Sequence, residues 1–233
     1  MDNRIDKSGI KVILGVFVAP VLQGVILFGA AGHTMLPRFW MFLMLFFALN
    51  TTGIFNLYRQ DPVLLNHRGR WRQKTDTKAW DKILLPLWAI IALYLLPAAA
   101  GLDAGRYHWG DIGILYFFPG VVLYSTGTVL IFWAMLTNTY FEMAMRIQTD
   151  RNHKVITHGP YKFIRHPGYL GMMLWGISTP LILGSQVALA VGLVAGMLLG
   201  LRTYWEDQTL MAELEGYTEY AKRTRYRLIP RVW

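Results

Sequence analysis

Four apolar runs dominate this chain: Val12 to Ala31, Phe39 to Leu57, Ile83 to Ala100 and Ile112 to Leu136. Each has roughly the 20 residues that a helix needs to cross the hydrocarbon core of a bilayer. In hydrocarbon every backbone N–H and C=O must be satisfied internally, so uninterrupted runs of this length read as helices. A fifth stretch, Tyr169 to Arg202, is long enough for two short helices, and Gly184-Ser185-Gln186, four residues after Pro180, supplies a turn between them. The expected fold is all-α: a polytopic membrane helix bundle of about six membrane-embedded helices, the last two a helical hairpin. Hydrophobic residues make up 54% of the chain and the mean hydropathy is +0.33, both above the usual soluble domain. The first run resembles a signal peptide in position but exceeds an h-region in length, and is read as a retained span.

The net charge of +9 is explained by where the cations fall. Of 23 Lys and Arg residues, three lie in 1–11, seven in 59–82, five in 139–168 and six in 202–233, which leaves Arg38 and Arg106 for the opposite side. By the positive-inside rule, both termini and the three long polar segments are cytoplasmic, and the two short connections, Gly32 to Pro37 and Gly101 to Asp111, are external. This predicts an integral, multi-pass membrane protein, in the inner or plasma membrane if the source is prokaryotic. Nucleic acid is not an expected partner, because no basic stripe interleaved with aromatics lies outside these loops. The absence of cysteine excludes disulfides, thiolate metal sites and thiol nucleophiles. His153, His158 and His166 have no metal-ligand spacing, so no metal is expected. The chain is read as one membrane domain, 1–233, with N-terminal spans in 1–111 and a second functional half in 112–233.

That second half carries the chemistry. Residues 138–171, NTYFEMAMRIQTDRNHKVITHGPYKFIRHPGYLG, form a polar stretch wedged between apolar helices. Gly159-Pro160 and Pro167-Gly168 predict two tight corners that bring Tyr161, Arg165, His166 and Tyr169 together. Proline near the first turn of the next helix leaves the N–H groups of Tyr169, Leu170 and Gly171 facing a potential anion. Further on, Arg202 and Glu206 are four apart and share a helix face. An amphipathic tail follows, with Leu210, Leu214, Tyr217 and Tyr220 at helical spacing, suited to folding back over a pocket.

The pattern from His153 through Gly171, H-x-V-I-T-x-G-P-Y-K-F-I-R-H-P-G-Y-L-G, followed by an acidic pair, G-Y-x-x-Y and L-I-P, resembles the isoprenylcysteine carboxyl methyltransferase family. Phospholipid N-methyltransferases share the R-H-P-x-Y and acidic-pair elements. The resemblance covers roughly residues 138–230. It implies an S-adenosyl-L-methionine cofactor in a cytoplasmic pocket lined by Gln148, His153, Lys154, Val155, Ile156, Tyr161, His166, Pro167, Gly168, Tyr169 and Glu206. It further implies that Arg202 is the catalytic and substrate-binding residue, holding the anionic group of the acceptor. Two departures stand out: the acidic pair is Glu206-Asp207 where the family usually has two glutamates, and the Gln148-to-His153 spacing is shorter than in eukaryotic members.

These residue types suit methyl transfer. In-line displacement from a sulfonium depends chiefly on positioning, and a carboxylate acceptor is already ionised at neutral pH, so no general base is required. Glu206 suits the ammonium of the cofactor, the helix start after Pro167 its carboxylate, and Tyr161 or Tyr169 its sulfonium. The expected activity is carboxyl O-methylation of a prenylcysteine-like, lipophilic or lipidated substrate that arrives from the membrane lipid. Phospholipid or isoprenoid head groups are the alternative acceptors. A sterol-reductase-like enzyme using NADPH is an alternative of another class, since it shares an H-P-x-Y-x-G element. A non-enzymatic membrane scaffold or transporter subunit is the third.

Overall fold

The computed structural model describes residues 4–233, whose regular elements are all helices, with no strand among them. Helix α1 (Lys7–Ala31) begins at Asp6, whose carboxylate accepts from the Ser8 and Gly9 amides and so satisfies two of the open N–H groups of the first turn. After α2 (Pro37–Gln60) the chain turns at Asp61 into a short helix α3 (Pro62–Gly69), again capped by the aspartate. Next come α4 (Asp81–Ile90) and α5 (Leu96–Ala100), joined by a π-helical turn and continued by another, Gly101–Tyr107, into one helix over Asp81–Tyr107. The remaining elements are α6 (Phe117–Thr137), α7 (Pro167–Leu183), α8 (Gln186–Glu213) and α9 (Tyr217–Arg223).

Five helices are long and apolar enough to cross a membrane: Lys7–Ala31, Pro37–Gln60, Asp81–Tyr107, Ile114–Thr137 and Gln186–Glu213. Large apolar side chains such as Leu14, Val18, Val21 and Val25 of α1, Val122 and Val129 of α6 and Met197 of α8 point outward, which suits a lipid-facing surface. The expected hairpin is present as α7–α8, turning at Gly184 (φ +86) and Ser185, whose side chain caps α8. Helix α7, at 17 residues, is the shortest long helix of the bundle.

One expectation is corrected. Gly101 to Asp111 reads in the sequence as an external loop, yet Gly101–Tyr107 continues the helix. Burial of Asp103 explains it: its carboxylate accepts from Ser185 Oγ (2.6 Å), Val187 N (3.0 Å) and Gly110 N (2.8 Å), and so needs an ordered backbone to reach the start of α8. Nearby, Arg38 donates to the Leu181, Ile182 and Ile112 carbonyls at 2.6, 2.7 and 2.9 Å, capping the end of α7. A cation thus meets the negative end of one helix and an anion the positive end of the next.

Close packing holds the hairpin against α6. A Cβ on Gly127 would lie 2.8 Å from the Gly171 carbonyl, and one on Gly192 would lie 2.0 Å from the Gly176 carbonyl. Small residues let these helix backbones touch, the usual device where lipid supplies no hydrophobic drive between helices. At the end of the bundle opposite Arg38 and Asp103, the polar segments 61–81, 138–168 and 203–233 gather together.

Candidate functional site

Local backbone chemistry builds the site from three segments. Gly159 takes φ +58, which glycine tolerates, and Pro160 starts a 3-10 turn over Gly159–Lys162. His166 is the N-cap of α7 and Pro167 its first residue. The tail is strapped across this corner: Arg165 N donates to the Tyr226 carbonyl and His166 N to the Arg227 carbonyl, both at 2.9 Å. Leu210, Leu214, Tyr217 and Tyr220 are buried with Tyr161 and Ala134, so the amphipathic tail does fold back.

The acidic pair divides its duties. Asp207 is fully buried and accepts from Arg165 Nε and Nη2 (2.8 Å each), Arg227 Nε (2.8 Å) and Tyr217 Oη (2.9 Å), with His166 Nε2 at 3.1 Å. It joins corner, helix and tail. Glu206 instead lines a cavity, accepting from Tyr169 Oη at 2.5 Å, with His166 Nδ1 at 3.7 Å. Burial by itself would lower the His166 pKa, but the two carboxylates outweigh it and raise the imidazole above its ordinary value.

The cavity encloses about 1010 Å³ of empty space, its mouth included. All eleven cofactor candidates line it: Gln148, His153, Lys154, Val155, Ile156, Tyr161, His166, Pro167, Gly168, Tyr169 and Glu206. Arg202 lines it too. Burial pushes the His153 imidazole down to about 4, and its ring packs 4.4 Å from that of Tyr140. Gln148 is held by its neighbours, donating to the Tyr140 carbonyl (2.7 Å) and accepting from Arg151 (2.8 Å). The Tyr161 hydroxyl sits against Asn138 (3.2 Å), and burial raises its pKa.

Three details differ from expectation. The Tyr169 and Leu170 amides donate to the His166 carbonyl (3.1 and 3.3 Å), because the first turn of α7 tightens on its own cap. Among the described residues Gly168 is left with the first-turn N–H that has no backbone partner. The Tyr169 ring lies 5.2 Å from the Arg202 guanidinium and 5.8 Å from the His166 ring, so protein groups already pack on it. Arg202 is not a free fork: Nε and Nη2 donate to Asp81 at 2.7 and 3.0 Å, and Nη2 also to the Met143 carbonyl at 2.8 Å. Asp81 and a further cavity-lining cation, Arg68, come from the N-terminal half and were not legible in the sequence. Asp81 was visible as a lone acid just before an apolar run, and Arg68 as one of seven cations assigned to topology alone.

The match to the Isoprenylcysteine carboxyl methyltransferase (ICMT) family covers residues 120–212. Over those residues the chain is similar to that family. This segment runs from α6 almost to the end of α8 and contains every one of the twelve candidates. A rice relative (Oryza sativa subsp. indica), named as a probable protein-S-isoprenylcysteine O-methyltransferase, is 32% identical over 109 residues, 46% of this chain and 57% of its own. Protein-S-isoprenylcysteine O-methyltransferase B of Arabidopsis thaliana is 29% identical over 122 residues, 51% of this chain and 59% of its own. The Tribolium castaneum protein-S-isoprenylcysteine O-methyltransferase is 30% identical over 120 residues, covering 50% of this chain and 40% of the relative. The chain therefore spans less than two thirds of the length of these relatives, and the family segment excludes Arg68, Asp81 and the tail beyond 212.

Proposed function

We propose that this chain is a membrane-embedded S-adenosyl-L-methionine-dependent methyltransferase that esterifies the carboxylate of a lipophilic, prenylcysteine-like acceptor. The observation that carries this reading is the convergence of all twelve motif residues on one cavity. The cofactor fits the residues present: Glu206 offers a carboxylate to its ammonium, and Val155, Ile156, Tyr161, Leu210 and Leu214 offer apolar surface to its base. When bound, S-adenosylmethionine supplies a methyl group activated by its sulfonium.

The protein's own part is positioning and exclusion of water. The tail held by Asp207 and Arg165 closes one wall, while the ring of Tyr161 and the Gly168 amide remain for the cofactor. Arg202, fixed by Asp81, faces the anionic end of the acceptor. A second cavity of about 540 Å³, lined by Phe42, Phe46, Leu96, Tyr124 and Trp175, shares Trp88 and Met172 with the first. Its apolar lining suits a hydrocarbon chain reaching in from the bilayer. In this reading α7 is the sixth membrane-embedded helix and the site end of the bundle faces the cytoplasm.

The test is calorimetric titration of the purified protein in detergent with adenosylhomocysteine, together with methyl transfer to N-acetyl-S-farnesylcysteine. Binding and transfer are the expected result. Stabilisation of the protein against heat by NADPH and not by adenosylhomocysteine would overturn it in favour of a reductase.

A further inference from the structure

We propose that Arg68 supplies the positive charge that holds the acceptor's carboxylate, with Arg202 beside it as a guanidinium already neutralised by Asp81. The inference rests on the methyltransferase reading above. Both arginines line the cavity and both grip Met143: Arg202 Nη2 takes its carbonyl at 2.8 Å and Arg68 Nη2 its thioether sulfur at 2.8 Å. They differ in what balances their charge. Arg202 has a two-point carboxylate partner. Arg68 has the Phe141 carbonyl (2.9 Å), the Met143 sulfur and the Phe141 ring (5.6 Å), and no carboxylate within salt-bridge distance among the described residues.

Glu142, the acid that acts on Arg68 electrostatically, does not fill that role, since it is bonded to Arg146 at 3.0 and 3.3 Å and lies 3.6 Å from Arg151. Burial pulls the Arg68 guanidinium down to about 10; Glu142 opposes this and Arg202 adds to it. The group is therefore still a cation at neutral pH, drawn partly out of water without a counter-ion. Such a charge is costly unless an anion joins it, and its planar fork matches a carboxylate.

Position selects the acceptor over the cofactor as the source of that anion. Through Leu64 and Leu65, α3 packs into the cluster that touches Met172, which with Trp88 is shared by the polar and apolar cavities. Val155 and Ile156, assigned to the cofactor, pack on a different cluster with Tyr161, Leu210 and Tyr217, which meets the first at Phe141. A lipophilic chain in the apolar cavity thus delivers its polar end beside Arg68.

The experiment compares wild type, Arg68→Met and Arg68→Lys as full chains in detergent. It measures adenosylhomocysteine affinity and the KM for N-acetyl-S-farnesylcysteine, with the carboxamide of that compound as a competing ligand. Loss of a charge-assisted contact should raise KM about tenfold or more in Arg68→Met, with partial recovery in Arg68→Lys and adenosylhomocysteine affinity held within about twofold. In wild type the carboxamide should bind more weakly than the carboxylate, a result that needs no variant to fold. An unchanged KM, or equal binding of carboxamide and carboxylate, overturns the role of Arg68 while leaving the methyltransferase standing. A parallel loss of adenosylhomocysteine affinity assigns Arg68 to the cofactor and also overturns it. A wild type that neither binds adenosylhomocysteine nor methylates the probe removes the underlying reading, and this inference with it.

Discussion

Asp81 and Arg202, 121 residues apart in sequence, meet in a buried two-point ion pair, Nε to Oδ1 at 2.7 Å and Nη2 to Oδ2 at 3.0 Å. Asp81 also accepts from the Met145 amide at 2.6 Å, so one carboxylate ties the start of α4 to α8 and to the 138–148 segment. Replacing Asp81 with Asn strands a buried guanidinium, a loss of roughly 3–5 kcal/mol. Thermal melting of Asp81→Asn, Arg202→Met and the double variant checks this. The double variant should lose less than the two single losses combined; full additivity would show that the two groups do not depend on each other.

Glu206→Gln and Asp207→Asn should fail in different ways. Glu206 faces the cavity, so its amide variant should lower the melting temperature less than Asp207→Asn does and bind adenosylhomocysteine about tenfold to a hundredfold more weakly. Asp207 gathers Arg165, His166, Tyr217 and Arg227, so its amide variant should melt lower by the equivalent of several kcal/mol, roughly the 3–5 expected for a broken buried pair. Melting curves and titration on the same samples separate the two; a stable Asp207→Asn contradicts the assignment.

His153 gives a pH dependence with a definite sign. Its ordinary pKa of 6.5 falls to about 4 in the folded chain, mainly through burial. Above 6.5 it is neutral folded or unfolded and contributes no dependence. As pH falls from 6.5 towards 4 the unfolded chain takes up the proton first, so stability declines through that window. Allowing for solvent at its exposed edge, the effect at pH 5 is on the order of 1 kcal/mol. Melting temperatures of wild type and His153→Gln at pH 7 and pH 5 should therefore converge or cross on acidification, and a constant offset counts against it.

Topology can be read with engineered cysteines, because the natural chain has none. Thr34→Cys, at the Arg38 end of the bundle, should react with an impermeant thiol reagent added to intact cells. Lys222→Cys, in α9 at the site end, should react after the membrane is opened. The reverse pattern would place the site outside.

The helices were legible because uninterrupted apolar length is a local property, and so was the corner at His166 to Tyr169, whose prolines and glycines act on their own neighbours. The family resemblance then gathered the cavity from one contiguous half of the chain. Asp81 and Arg68 were illegible for the complementary reason. Their significance lies in partners across the fold, Arg202 and Met143, and nothing in the local sequence distinguishes a cation beside a cavity from one beside a phospholipid head group. The π-helical continuation past Gly101 escaped notice likewise, since it depends on Asp103 reaching Ser185, 82 residues on.

The strap that the tail forms across Asp207 is the last part of the cavity wall to be synthesised. Helices α7 and α8 can pair in the bilayer as soon as both have left the ribosome, with Arg165 already able to reach Asp207. Tyr217 and Arg227 arrive later, as do the Thr224 and Arg225 carbonyls that complete Arg165. On the proposed reading, a chain truncated before residue 217 keeps its apolar helices but lacks the tail wall of the cavity, and it should fail to bind adenosylhomocysteine.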